Sequence, residues 1–410
     1  MPLHKLWVLA FRDLGRNRRR TLLTMTAVAL GLALLMVMNS FIAGIMEDSL
    51  QNSIKLRTGH LQLRAPSYSE DERSLQWGDL LLDPENLIAQ AATLDEVKAA
   101  TPVLWANGIL ATVNESAGLQ VYGIDPDSPV YDPIRTALVN GSFITPDDRS
   151  GILIGERLAT MLGLQVGSKV SLTIVDSEGQ ADEAIFSIVG MFATGIPTYD
   201  ESAVLMPLTK AQGLTNTNRR VSAVVLLLND QQATSEVVAA FRSSGLQVLT
   251  WQDLNQFFIQ TMQTGMAFYV LLDIIVMLIV AVIIANTLLM SVFERIREMG
   301  ILSALGMKGR HLMQMMLLEA ASLSLAGIAI GLGLGLAAVA YLATAGIDFG
   351  SSVASSGGDA IALGSTIYAR FVPDVYVGLS LATLLITLVA ALYPAWYAAR
   401  LEPVAALREA

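Results

Sequence analysis

Residues 293–319 read FERIREMGILSALGMKGRHLMQMMLLE, and the fold class turns on them. The stretch lies between two long apolar segments and gathers seven charged residues. Glu294, Arg295, Arg297 and Glu298 open it; Lys308, Arg310 and His311 close it. Between them Ile301, Ala304 and Leu305 stand at i, i+3, i+4, which predicts a short helix with one apolar face. Gly306 follows as its stop, because glycine takes left-handed backbone at little cost. A hairpin this short between membrane spans has no need of an amphipathic helix unless something docks against it. A plain loop whose charges satisfy the positive-inside rule is the competing reading.

Working outward, the composition is that of a membrane protein. Hydrophobic residues make up 53% of the 410 and charged residues 15%, more apolar surface than a soluble chain of this size can hide. Four segments are long and nearly free of charge. Residues 21–46 carry none, and as a helix would extend roughly 39 Å against a hydrocarbon core of roughly 30 Å. Residues 264–293 hold one carboxylate, Asp273; residues 312–345 hold one, Glu319; residues 375–399 hold none. The chain has no cysteine, which removes disulfides, thiolate metal sites and cysteine nucleophiles. Its three histidines (His4, His60, His311) are too widely separated in sequence to favour a histidine metal site.

Charge sets the orientation. Lys5, Arg12, Arg16, Arg18, Arg19 and Arg20 precede the first segment, and Arg295, Arg297, Lys308 and Arg310 lie between the second and third. The connection between the third and fourth carries only Arg370. The positive-inside rule therefore places both termini and the 294–311 loop in the cytoplasm. The net charge of −10 belongs to the other side, since residues 47–263 hold 13 basic and 26 acidic residues.

The expected architecture is an α-helical membrane protein with four transmembrane helices (21–46, 264–293, 312–345, 375–399) and a large mixed α+β extracytoplasmic domain at 47–263. Residues 1–20 read as an amphipathic helix on the inner leaflet, with its arginines toward anionic headgroups. They do not fit a secretory signal, because the apolar run that follows is twice too long. Residues 346–374 form an outer loop and 400–410 a cytoplasmic tail. Within the outer domain, alternation and turn residues predict strands at 59–64, 103–111, 118–124, 151–155, 169–175, 184–192, 202–206, 221–228 and 246–251. Helices are predicted at 86–100, 156–162 and 232–243. The apolar stripes flanking the domain, Leu50 and Ile54 on one side and Leu254, Phe257, Phe258 and Met262 on the other, read as paired stalks.

The pattern E-R-x-R-E-x-G-I-L-x-A-L-G at 294–306 resembles the loop between the second and third membrane helices of FtsX-like permeases, the MacB and LolCDE class of ABC transporters. The opening AFRDLGRNRRR, the passages VYGIDPDSP (121–129) and GILIGERLATMLGLQVGSKV (151–170), and the ending YPAW…AARLEPVAALR resemble the same family, so the likeness covers the whole chain. It implies a permease subunit without ATPase activity, whose short loop helix couples it to a separate ABC ATPase in two copies. The coupling residues it implies are Glu294, Arg297, Glu298, Gly300, Ile301, Ala304, Leu305 and Gly306. ATP and magnesium are expected in that partner and no cofactor in this chain. A second permease chain, identical or homologous, is expected, with a periplasmic carrier or adaptor protein and membrane lipid as further partners and no nucleic acid. The location implied is the bacterial inner membrane. The outer domain is expected to form a porter-like lobe from both ends of the insertion and a middle lobe near 125–185. The work implied is export or extraction of a lipoprotein, lipid, peptide or drug. A departure is the short connection at 176–183, where lipoprotein-releasing members carry an extended hook. A regulator that controls a cell-wall hydrolase and transports nothing is the alternative. A secondary transporter fits badly, because four spans show no internal repeat.

Other chemistry is sparse. No G-x-x-x-x-G-K-[ST] occurs. Gly327, Gly331 and Gly335 form two overlapping G-x-x-x-G units and predict a helix-packing seam. Asp273 reads as lying at the outer headgroup level, with an intramembrane proton site as the other reading. Glu319 is expected to anchor the loop by pairing with Arg295, Arg297 or Arg310.

Overall fold

The computed structural model describes residues 18–69, 73–112, 115–242, 244–349 and 364–400. The amphipathic N-terminal helix up to residue 17, the tail from 401 and the middle of the 346–374 connection lie outside the described residues.

The chain begins with α1 (Arg18–Ser53), which widens into a π-turn over Ile54–Thr58 and leads to β1 (Leu61–Arg64). Then come α2 (Pro84–Ala91), β2 (Val97–Ala111), β3 (Ser116–Ile124), α3 (Asp132–Thr136), β4 (Leu138–Gly141) and β5 (Gly151–Gly155). They are followed by α4 (Glu156–Met161), β6 (Lys169–Val175), β7 (Ala181–Phe192), α5 (Pro197–Ser202), β8 (Ala203–Pro207) and α6 (Leu208–Leu214). The strand-rich stretch closes with β9 (Ala223–Leu228), α7 (Thr234–Phe241), β10 (Gln247–Thr250) and α8 (Trp251–Leu254). The helices α9 (Gln256–Glu294), α10 (Ile296–Ala304), α11 (Gly309–Ala345) and α12 (Pro373–Ala399) follow, with a two-residue strand pairing of Ile347–Asp348 and Thr366–Ile367 between the last two. Four of these helices, α1, α9, α11 and α12, are long and apolar enough to cross a membrane.

The chain divides into two compact units, a helical one and a strand-rich one made of Met46–Thr261 with Asp348–Ile367. In the helical unit one core joins all four long helices through residues such as Leu32, Met36, Ile284, Leu288, Met316, Ala320, Ala391 and Ala395. Polar side chains also link the helices. Asn39 donates to both carboxylate oxygens of Asp273 at 3.2 Å, Ser40 and Tyr376 share a 2.7 Å hydrogen bond, and Ser324 donates to Thr387 at 3.3 Å. In an apolar surrounding such contacts hold helices together where hydrophobicity cannot.

The strand-rich unit is a ten-stranded mixed sheet in the order β10-β1-β9-β2-β3-β8-β5-β7-β4, with β6 bridging β2 and β7. The long strand β2 changes partner part-way. Its first half pairs with β9, and its last four residues pair with β6, from Gly108↔Ile174 to Ala111↔Ser171. The path β2-β3-β8-β5-β7-β6 therefore returns to β2 and closes a six-stranded ring, which leaves those strands without open edges. Leu110, Leu153, Leu172, Phe186 and Leu205 on these strands are fully buried in one core. Residues 125–185, expected as a middle lobe, supply β4, β5, β6 and the start of β7, which hydrogen-bond to β2 and β8 from outside that range.

One sequence expectation is corrected. The helix predicted over 86–100 stops at Ala91, and β2 begins at Val97. Residues Ala99, Ala100 and Thr101 favour or tolerate helix locally, but they pair with Leu227, Leu226 and Val225 of β9, and that non-local ladder overrides propensity. In the first turn of α5, the buried carboxylate of Asp200 reaches back to the preceding loop and accepts from Thr194 Oγ1 at 2.7 Å and from the backbone N–H of Thr194 and Gly195 at 3.0 and 3.2 Å. Burial pushes this carboxyl up to about 6, against the pull of those donors.

Candidate functional site

The charged stretch between α9 and α11 folds as the short helix its spacing predicts. α9 ends at Glu294, Arg295 leaves helical geometry (φ −118°, ψ 16°), and α10 runs over Ile296–Ala304. Its end is a Schellman motif, with Met307 N–H donating to Leu302 O and Gly306 N–H to Ser303 O, both at 3.0 Å. Gly306 sits at φ +92°, a conformation that explains a glycine at that position.

The two sides of α10 differ. Met299 is buried in the helical core, and Gly300 is buried beside it. Ile301, Ala304 and Leu305 point away and are exposed, Leu305 to 81%. Thus the helix is anchored by one face and presents an apolar ridge on the other.

Ion pairs fix its entry and its underside. Arg20, at the start of α1, reaches Glu294 at 2.6 Å and donates to Ser291 Oγ at 2.9 Å. Arg295, 12% exposed, lies 3.2 Å from Glu298 and 3.6 Å from the buried carboxylate of Glu319 on α11. One guanidinium therefore ties the start of α10 to a spanning helix, and Glu319 takes Arg295 from the three partners considered for it. Arg297 is exposed.

The remaining candidates lie elsewhere. Asp273 precedes Glu294 by 21 residues on one helix, roughly 31 Å of axial rise, so it belongs to the opposite end of the span and meets Asn39 there. Gly327, Gly331 and Gly335 of α11 pack against α1: a Cβ added at these positions would fall 2.8 Å from Val28 Cβ, 2.8 Å from Ala29 O and 2.6 Å from Met36 Sδ, respectively. Sequence reasoning did not single out Arg20, Ser291 or Asn39. Arg20 is one of three consecutive arginines that nothing local distinguishes, and the two polar residues within apolar runs were the only signals available.

Two family models match the chain. The MacB-like periplasmic core domain covers residues 21–244, and the FtsX-like permease C-terminal covers 270–403. Among curated relatives, the lipoprotein-releasing system transmembrane protein LolC of Neisseria meningitidis serogroup B is 24% identical over 321 residues, 73% of this chain and 72% of that protein. The macrolide export ATP-binding/permease protein MacB of Wolinella succinogenes is 24% identical over 418 residues, 97% of this chain and 60% of that protein. The chain thus spans about three-fifths of this second relative's length. Among solved structures, the periplasmic region of MacB from Actinobacillus actinomycetemcomitans aligns with a TM-score of 0.33 at 15% identity, over 51% of this chain and 97% of that one.

Proposed function

Because the chain belongs to the FtsX-like ABC permease family, we propose that it is the membrane subunit that transmits ATP-driven movement to its outer domain, with α10 as the coupling element. The observation that carries this reading is the exposed ridge Ile301–Ala304–Leu305 on a helix fixed from below by Met299, Gly300 and the Glu298–Arg295–Glu319 bridge. An apolar ridge on a rigid mount fits a groove on a partner and passes force into α11 without bending. The partner in this proposal is an ABC ATPase in two copies, which supplies the ATP and magnesium sites. Two copies of the ATPase call for two permease chains, and the exposed apolar side chains of α1 and α9, such as Leu30, Leu34, Ile275, Leu278 and Val282, suit a second permease or lipid.

In this reading both termini and α10 face the cytoplasm and the sheet-rich unit lies outside the inner membrane, as the lysine and arginine asymmetry of the sequence supports. The substrate is taken up at that outer face, with lipoprotein, lipid, peptide and drug as the candidate classes.

The cysteine-free background allows a direct test. A spin label at Gln180→Cys, on the exposed β6–β7 connection, is measured between the two permeases of the assembled complex in nanodiscs. The distance is expected to change between nucleotide-free and ATP-bound states. An unchanged distribution, in a complex that hydrolyses ATP, would refute transmission to the outer domain.

A further inference from the structure

The spanning segments carry two acids and no base. Asp273 and Glu319 are the only charged residues of 21–46, 264–293, 312–345 and 375–399, which contain no lysine, arginine or histidine. Glu319 is met by Arg295 from the loop. Asp273 is not met in that way: among the described residues Asn39 is its one hydrogen-bond partner and no cation pairs with it.

Asn39 is a weak counterpart for a charge. The two hydrogens of its amide are shared among three acceptors, Leu35 O at 2.9 Å and both Asp273 oxygens at 3.2 Å, whereas an ionised carboxylate accepts about four hydrogen bonds. An amide also leaves the negative charge in place, and an uncompensated charge at the edge of hydrocarbon is costly enough to mark a functional position. The helix around it is apolar and uncovered: Val270, Leu271, Ile274 and Ile275 are all exposed. Tyr269 stands one turn farther from Glu294 on the same face as Asp273, edge-to-face with Phe268 at 6.5 Å, and aromatic rings attract cations. Asp273 lies roughly 31 Å along α9 from Glu294. In a hydrocarbon core of roughly 30 Å that is the depth at which an amphiphile carries its charged head.

We propose that Asp273 receives the protonated amine of a cationic amphiphile, a substrate held in the outer leaflet with its tail along the exposed apolar face of α9. The open acceptor sites of the carboxylate select the head, and Ile274, Ile275 and Leu278 take the tail. A second copy of this chain is a poorer occupant, since its spans bring another carboxylate and no cation. The inference deepens the transport reading by naming a substrate class and rests on it for the ligand's fate. Binding is read without ATPase or nucleotide, so its failure is distinct from a failure of coupling.

The test uses the full chain in phosphatidylcholine nanodiscs with one bimane fluorophore at Leu278→Cys. This position is exposed and lies about 7.5 Å of helical rise from Asp273, toward Glu294. Octadecylamine and octadecanol, each bearing a nitroxide near the head, are the quenchers, titrated by mole fraction in the bilayer. The amine is expected to reach half-quenching at about ten-fold lower mole fraction than the alcohol, the discrimination expected for one charge-assisted hydrogen bond. Asp273→Asn brings the amine to the alcohol's value, and Asp273→Glu keeps most of the difference. Equal quenching by amine and alcohol with Asp273 intact overturns the proposal, as does an undiminished preference in Asp273→Asn. Replacing phosphatidylcholine by phosphatidylethanolamine separates substrate from lipid. A retained preference for the added amine supports the proposal, and its loss makes the lipid headgroup the occupant and overturns it.

Discussion

The glycine face of α11 gives a prediction with its own internal control. Gly331 and Gly333 lie two residues apart on the same helix, so any general effect of adding a methyl group is shared. A Cβ at Gly331 would stand 2.8 Å from Ala29 O, 3.0 Å from Ala29 Cα and 3.2 Å from Leu32 Cβ. Two of these are backbone atoms of α1 and cannot swing aside, so the helices must separate. At Gly333 nothing lies within 4 Å. Overpacking of this kind costs about 1–3 kcal/mol, whereas Gly→Ala at an open helical position is neutral or stabilises by up to about 1 kcal/mol. Gly331→Ala is therefore expected to unfold more easily than Gly333→Ala by about 2 kcal/mol, roughly a thirty-fold change in the folded ratio. Gly335→Ala falls between them, because its clash is with the flexible thioether of Met36. Titration of the full chain from mild detergent into dodecyl sulfate, followed by far-ultraviolet circular dichroism, measures the difference. Equal midpoints for the Gly331 and Gly333 variants would refute a close α1–α11 contact.

Two further perturbations follow from buried charges. Arg295→Gln removes the guanidinium from the Glu319 carboxylate, which is 4% exposed; breaking a buried pair costs about 3 kcal/mol, and a second change, Glu319→Gln, is expected to recover much of the melting temperature. For Asp200, burial sets the folded-state value at about 6, above the ordinary 3.8. The folded state then holds more protons than the unfolded state between these values, so this group adds stability as pH falls through that window and withdraws it as pH rises. From pH 7 to pH 5 the wild type should gain about 1 kcal/mol relative to Asp200→Asn, and parallel melting curves at the two pH values would show that Asp200 does not titrate there.

The long helices were legible in the sequence because a membrane span is a local property: charge-free runs at 21–46 and 375–399 need no partner to be recognised. The short helix α10 was equally legible, its apolar spacing and Gly306 both lying within a dozen residues. What the sequence hid is what depends on distant chain. Nothing local marks β2 as a strand that leaves β9 for β6, so the closed ring could not be read, and the alanines at 99 and 100 were assigned to a helix. Arg295 was one of three arginines expected to pair with Glu319, and choosing among them needed α11 packed beneath α10. Asp273 stood out as the lone carboxylate of its span, but its partner Asn39 did not, and the two become a pair only when α1 and α9 lie side by side.

The central claim, that the exposed ridge of α10 receives the ATPase, is tested most directly by Leu305→Asp. Leu305 is 81% exposed in the isolated chain, so the substitution should leave its melting temperature unchanged. Against an apolar groove the new carboxylate would be desolvated without a partner. Loss of such an anchor costs about 2 kcal/mol or more, close to a thirty-fold weaker Kd. The measurement is titration of the partner ABC ATPase onto nanodisc-reconstituted wild-type and Leu305→Asp chains of equal thermal stability. The account predicts that the variant binds the ATPase at least about thirty-fold more weakly. Wild-type affinity in the variant would contradict it and leave α10 as a passive loop.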